Sequence, residues 1–125
     1  MAAEKIFENK VKKYLSSLDR CWYTKIWGGG YQKAGIPDLL ACINGVFFSI
    51  ELKGSKGRPS DLQKWNTKNI NAAGGIGIIL YPEGFDEFKD LVQEVIQCNS
   101  HTAVLNASRC AHTSTSCNIL TGYAS

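Results

Sequence analysis

The chain predicts an α/β fold, a mixed sheet flanked by helices, and three observations carry that expectation. Asn44-Gly45 stands between two apolar runs and marks a β-hairpin, because a type I′ turn needs positive φ at both central positions. Ser60-Asp61-Leu62-Gln63 is a capping box that opens a helix shortly after the hairpin. Residues 76–81 form a short apolar strand reached from the hairpin through that helix, which reads as a crossover connection.

The elements follow in the order α-β-β-β-α-β-α. Residues 4–18 read as a helix, with Ile6, Phe7, Val11, Tyr14, Leu15 and Leu18 at helical spacing among Lys5, Glu8, Lys12 and Lys13. Residues 21–27 are rich in aromatic and β-branched side chains and read as a strand. Gly28-Gly29-Gly30 is a flexible break. The two-residue turn then fixes the register of 38–43 against 46–53: Ile43 faces Val46, Ala41 faces Phe48, and Asp38 faces Glu51. One sheet face receives Leu39, Ala41, Ile43, Val46, Phe48, Ile50 and Leu52. The other receives Leu40, Cys42, Phe47 and Ser49, with Asp38, Glu51 and Lys53 at the open end of the hairpin. A basic loop with Lys56 and Arg58 leads to the helix 60–73, which Gly74-Gly75 ends. A last helix over 82–97 carries Phe85, Phe88, Leu91, Val92, Val95 and Ile96 as its apolar stripe. From Cys98 onward the pattern fails, and residues 98–125 are expected to be a disordered tail beside a single domain over 1–97.

Composition narrows the function. With 125 residues, 44% hydrophobic and 20% charged, the chain suits one modest core. No apolar run approaches the length of a membrane span and no signal-peptide pattern opens the chain, so a cytoplasmic protein is expected. Of five cysteines, Cys21 and Cys42 lie in apolar strands and are expected to be reduced and buried. The net charge of +3 is uneven: residues 1–68 carry 12 Lys/Arg against 6 Asp/Glu, whereas residues 69–97 carry Lys89 against five acids. A basic first half suits a polyanionic partner, although a solvated surface with an acidic last helix is the plain alternative. Both histidines, His101 and His112, lie in the tail, which argues against a histidine base or a histidine-ligated zinc in the folded part. The spacing of Cys98, His101, Cys110, His112 and Cys117 fits no standard zinc finger.

The chemistry concentrates at the mouth of the hairpin. Asp38 and Glu51, directly opposite, would bring their Cβ atoms to about 4.5–5.5 Å. Two like charges there repel, and a divalent cation offsets them. With neither imidazole nor thiolate nearby the donors are all oxygen, which suits Mg²⁺ or Mn²⁺, and the carbonyl of Leu52 is a further candidate ligand. Lys53 shares the face of Glu51 and would orient the attacking water or offset charge on a phosphorane. An isolated Glu-x-Lys is usually an ordinary ion pair on a strand. The conjunction of Gly-x-Pro-Asp, the register that pairs the acids, and the lysine beside them is what points to a metal-dependent nuclease.

Gly35-Ile36-Pro37-Asp38, Ile50-Glu51-Leu52-Lys53, Gly57-Arg58-Pro59-Ser60 and Gln63 together resemble the virus-type replication-repair nuclease (VRR-NUC) domain of the PD-(D/E)xK superfamily, over about residues 4–97. The resemblance implies a restriction-endonuclease-like αβββαβ core, dependence on Mg²⁺ or Mn²⁺ with no small-molecule cofactor, and hydrolysis of DNA phosphodiesters in phage or bacterial replication, recombination or repair. It also implies a homodimer, as in Holliday junction resolvases. By that similarity Asp38 and Glu51 hold the metal, Lys53 is the catalytic lysine, and Gln63 supports the site in addition to its capping role. An acid on the first helix completes the set through water; Glu8 is the choice and Glu4 the alternative. Lys33, Lys56, Arg58 and Lys64 are candidate phosphate contacts, and Trp27, Tyr31 and Trp65 candidate stacking partners for unpaired bases, with Trp27 otherwise core or dimer interface. A structure-specific, resolvase-like nuclease and a DNA-binding module of the same fold without catalysis are the alternatives.

Overall fold

The computed structural model describes residues 2–27 and 34–98. The elements are α1 (Ala2–Ser16), β1 (Cys21–Lys25), β2 (Leu39–Ile43), β3 (Val46–Leu52), α2 (Asp61–Ala72), β4 (Ile76–Leu80) and α3 (Phe85–Gln97), with one 3₁₀ turn at Pro82–Gly84. The fold is α/β with a four-stranded mixed sheet in the order β1-β2-β3-β4. β1 and β2, and β2 and β3, pair antiparallel, and β3 and β4 pair parallel through the α2 crossover. The expectations for Gly28–Gly30, Tyr31, Lys33 and residues 99–125 fall outside the described residues.

The hairpin takes the expected register, with Ile43 opposite Val46 and Ala41 opposite Phe48. Asn44 and Gly45 both have positive φ, 49° and 83°. The Asn44 side chain does more than turn the chain. Buried, it donates from Nδ2 to the carbonyls of Val95 (2.8 Å) and Cys98 (2.9 Å), and its Oδ1 accepts from Arg20. It therefore satisfies carbonyls at the end of α3 that the helix itself leaves without donors.

The two faces of the sheet differ. Leu39, Ala41, Ile43, Val46, Phe48, Ile50 and Leu52 face α1 and α3 and join Val11, Leu15, Phe88 and Val92 in the main core. α2 lies against β4 and β3 on the opposite face, where a Cβ at Gly77 would stand 2.8 Å from the Thr67 carbonyl oxygen. Among the described residues no helix lies on the β1–β2 half of that second face, so Trp22 is 66% exposed and Cys42, expected to be buried, is exposed; Cys21 is half-buried. Ile6 also departs from expectation and is exposed. The buried arc of α1 runs through Phe7, Glu8, Val11 and Leu15, which turns Ile6 to the far side.

The sheet brings four strand ends to one edge: the end of β1, the start of β2, and the parallel ends of β3 and β4. Among the described residues, no helix is long and apolar enough to cross a membrane.

Candidate active site

Asp38 is held from both sides. Its backbone carbonyl accepts from the Ile26 amide (2.8 Å), and its carboxylate Oδ2 accepts from the Leu52 amide (2.8 Å). The side chain thus takes the place of a ladder carbonyl where β2 begins, which fixes it beside the last residues of β3. The segment leading to it is fixed by α2. Gly35 has φ +83°, its carbonyl accepts from Asn66 Nδ2 (2.8 Å), and a Cβ on it would stand 2.7 Å from Leu62 Cβ. Gly35→Ala should cost about 1–3 kcal/mol, because it adds backbone strain and pushes α2 off this segment. The loss is read from chemical denaturation, and unchanged stability would show that the segment gives freely.

Glu51 is only 5% exposed. Its Oε1 accepts from Gln63 Nε2 at 2.9 Å and lies 3.9 Å from Lys53 Nζ. Its Oε2 is buried with no donor. Asp38 acts on this carboxyl both by its charge and through a side-chain hydrogen bond that favours the protonated form. Burial first, then the charge of Asp38, push the Glu51 carboxyl up to about 8, with a smaller push from Glu4 and an opposing pull from Lys53.

Gln63 serves two elements at once. Its Oε1 accepts from the Ser60 amide (2.8 Å), its own amide donates to Ser60 Oγ (3.1 Å), and its Nε2 reaches Glu51. The capping box therefore aims the amide at the acid, so one side chain both caps α2 and bonds to Glu51.

Glu8 sits elsewhere. Its carboxylate pairs with Lys25, with Lys5 (3.0 Å) and with Lys12 (3.5 Å). Burial alone would raise the Glu8 carboxyl; the ammonium groups of Lys25 and Lys5 outweigh it and hold it at about 2. Lys25 is opposite Leu39, on the helix-facing side of β1, where its charge needs an acid. That register is the signal by which the pairing could have been read from sequence. Of the two acids considered on α1, Glu4 is the one whose charge acts on Glu51.

The basic loop lies beside Lys53. Ser55, Lys56, Gly57, Arg58, Pro59, Lys64 and Tyr81 line a cavity of about 480 Å³. The Tyr81 hydroxyl donates to the Gly57 carbonyl (3.0 Å), which ties the loop to the end of β4. A Cβ at Gly57 would stand 3.4 Å from the Lys53 side chain, so the loop runs close along it. Three of the four cationic residues expected to meet phosphate thus share one cavity, and the fourth, Lys33, is outside the described residues. Trp65, at 60% exposed, and Trp27, at 74%, are both surface residues.

Among the described residues no three His, Cys, Asp or Glu side chains gather as a metal cluster. The pair that does gather, Asp38 and Glu51, offers hard oxygen donors and one buried oxygen without a partner. That donor set fits a hard divalent ion that retains water in its remaining positions. No protein-family model, curated protein or solved structure matches the chain.

Proposed function

We propose that this protein is a Mg²⁺- or Mn²⁺-dependent DNA endonuclease of restriction-endonuclease-like fold, of the VRR-NUC kind and working as a homodimer in the cytoplasm. One observation carries the reading: a buried glutamate with an unpartnered oxygen is pressed against a second acid, with a lysine and a glutamine on its other oxygen. Such a pair costs stability as it stands, and a cation between the acids offsets that cost. The cationic cavity beside Lys53 supports a polyanionic substrate.

Asp38 and Glu51 would hold the ion, with the Leu52 carbonyl as a further ligand. When bound, the ion polarises the phosphate and lowers the pKa of water. The Lys53 ammonium steadies the water and the charge that builds on the phosphoryl oxygens. As the water oxygen bonds to phosphorus it gives up a proton to solvent, the opposite P–O bond breaks, and the departing oxygen takes a proton from solvent, leaving one phosphate end and one hydroxyl end. Gln63 acts as a positioning residue by fixing Oε1 of Glu51. Lys56, Arg58 and Lys64 keep the strand in place.

The test is cleavage of labelled single-stranded, duplex, flap and four-way-junction DNA in Mg²⁺, Mn²⁺ or EDTA. Wild type should cut in either metal and not in EDTA. Lys53→Ala should lower the rate by about 10²–10⁴-fold with DNA affinity little changed. Binding without cutting by wild type would favour a non-catalytic DNA-binding module instead.

A further inference from the structure

Trp27 stands at the same sheet edge as the acids but is not needed by the mechanism above. It follows β1 directly, and the residue before it, Ile26, donates its amide to the carbonyl of Asp38. Its indole is 74% exposed, more than any other large apolar side chain among the described residues. It also has its own support. Lys25 Nζ lies 5.1 Å and Lys5 Nζ 6.0 Å from the ring centroid, and Glu8 fixes both lysines by ion pairs. A large apolar ring is thus held in solvent by two cations that are themselves anchored. A largely exposed indole with ammonium groups over its ring has the composition of a nucleobase platform: the ring surface left in solvent takes the base and the cations take the neighbouring phosphates.

The sheet order places this platform relative to the acids. Across the edge come Trp27 after β1, Asp38 before β2, Glu51 and Lys53 at the end of β3, and Tyr81 with the cationic cavity after β4. Three strand spacings of about 4.8 Å make roughly 14 Å from first to last. The acids lie between a stacking surface and a phosphate pocket.

We infer that Trp27 stacks on an unpaired base flanking the scissile phosphate, and that the preferred substrate is DNA with single-stranded character at the cut. A base inside a duplex offers no free face to an indole, so a fully paired substrate gains nothing from Trp27. This rests on the nuclease reading for its substrate, and its test is a binding measurement in Ca²⁺ or EDTA, where turnover plays no part.

Fluorescence anisotropy would compare a labelled single strand, a flap and a fully paired duplex for wild type, Trp27→Ala, Trp27→Phe and Trp22→Ala. Trp22 is the control, an exposed tryptophan at the other end of β1. Trp27→Ala should weaken single-strand and flap binding by about tenfold and leave duplex binding unchanged. Trp27→Phe should retain most of the affinity, and Trp22→Ala all of it. Matching thermal melts would confirm that the exposed position leaves the fold intact. Equal losses on every substrate, or none, would overturn the inference, and so would a wild type that binds no DNA. Selective loss on unpaired DNA, in a protein that never cuts, would uphold the platform and overturn only the nuclease reading.

Discussion

Glu51→Gln is expected to stabilise the metal-free protein at pH 8 while removing its metal-dependent activity. The sign follows from the raised carboxyl. Below about pH 4.5 Glu51 is protonated folded and unfolded, and its burial costs little. Between there and about 8 the unfolded chain ionises while the folded chain keeps the proton, so stability falls as pH rises. Above about 8 the folded protein carries a buried anion beside Asp38, and the full cost is present. At about 1.4 kcal/mol per pH unit, that cost is on the order of 3–5 kcal/mol. Glutamine keeps the shape, removes the charge and should return most of that amount at pH 8, and little at pH 4. Added Mn²⁺ should raise the melting temperature of wild type and leave the variant unmoved. Cleavage should fall by at least about a hundredfold, since the variant lacks a metal ligand. Melting curves across pH, with and without Mn²⁺, check all of this; a variant less stable than wild type at pH 8 would contradict it.

Glu8→Gln should do the opposite, destabilising the protein with or without metal. Glu8 is the one acid shared by Lys5, Lys12 and Lys25, and without its charge the three ammonium groups repel over a nearly buried amide. Breaking such a part-buried set of pairs costs about 1–3 kcal/mol. In a domain of this size that corresponds to about 5–15 °C in melting temperature. Because its carboxyl is held at about 2, its contribution is present above about pH 4.5 and fades as pH falls toward 2. Wild type should therefore lose more stability than the variant on acidification through that window. The same substitution separates two roles for α1. If Glu8 completed the metal site through water, its loss would appear chiefly as weaker Mn²⁺ binding; Glu4→Gln is the variant expected to change metal affinity without changing stability.

Much of this was legible because it is local. The Asn-Gly turn fixes the hairpin register by counting, and the register alone puts Asp38 beside Glu51 and sorts seven apolar residues onto one face. Ser60 and Gln63 announce their helix three residues apart, and the same spacing sends Gln63 toward Glu51. What the sequence hid depends on distant partners. Asn44 reads as a turn residue, yet its side chain meets Val95 and Cys98, some fifty positions on. Ile6 and Glu8 flank the apolar stripe of α1 on opposite sides. Lys25 decides between them, drawing Glu8 inward and leaving Ile6 in solvent. Cys42 is exposed because α2 covers only the β3–β4 half of its face, and no local pattern states which half a crossover helix will cover.

The most direct test of the central claim is calorimetric titration of Mn²⁺ into wild type and Glu51→Gln at pH 7, in two buffers of different ionisation enthalpy. A carboxyl raised to about 8 is mostly protonated at that pH. Mn²⁺ should therefore bind wild type with release of about one proton, and the variant should lose both the binding and the release. Absence of binding to wild type at millimolar Mn²⁺, or equal binding by the two proteins, would contradict the assignment of Asp38 and Glu51 as the metal site.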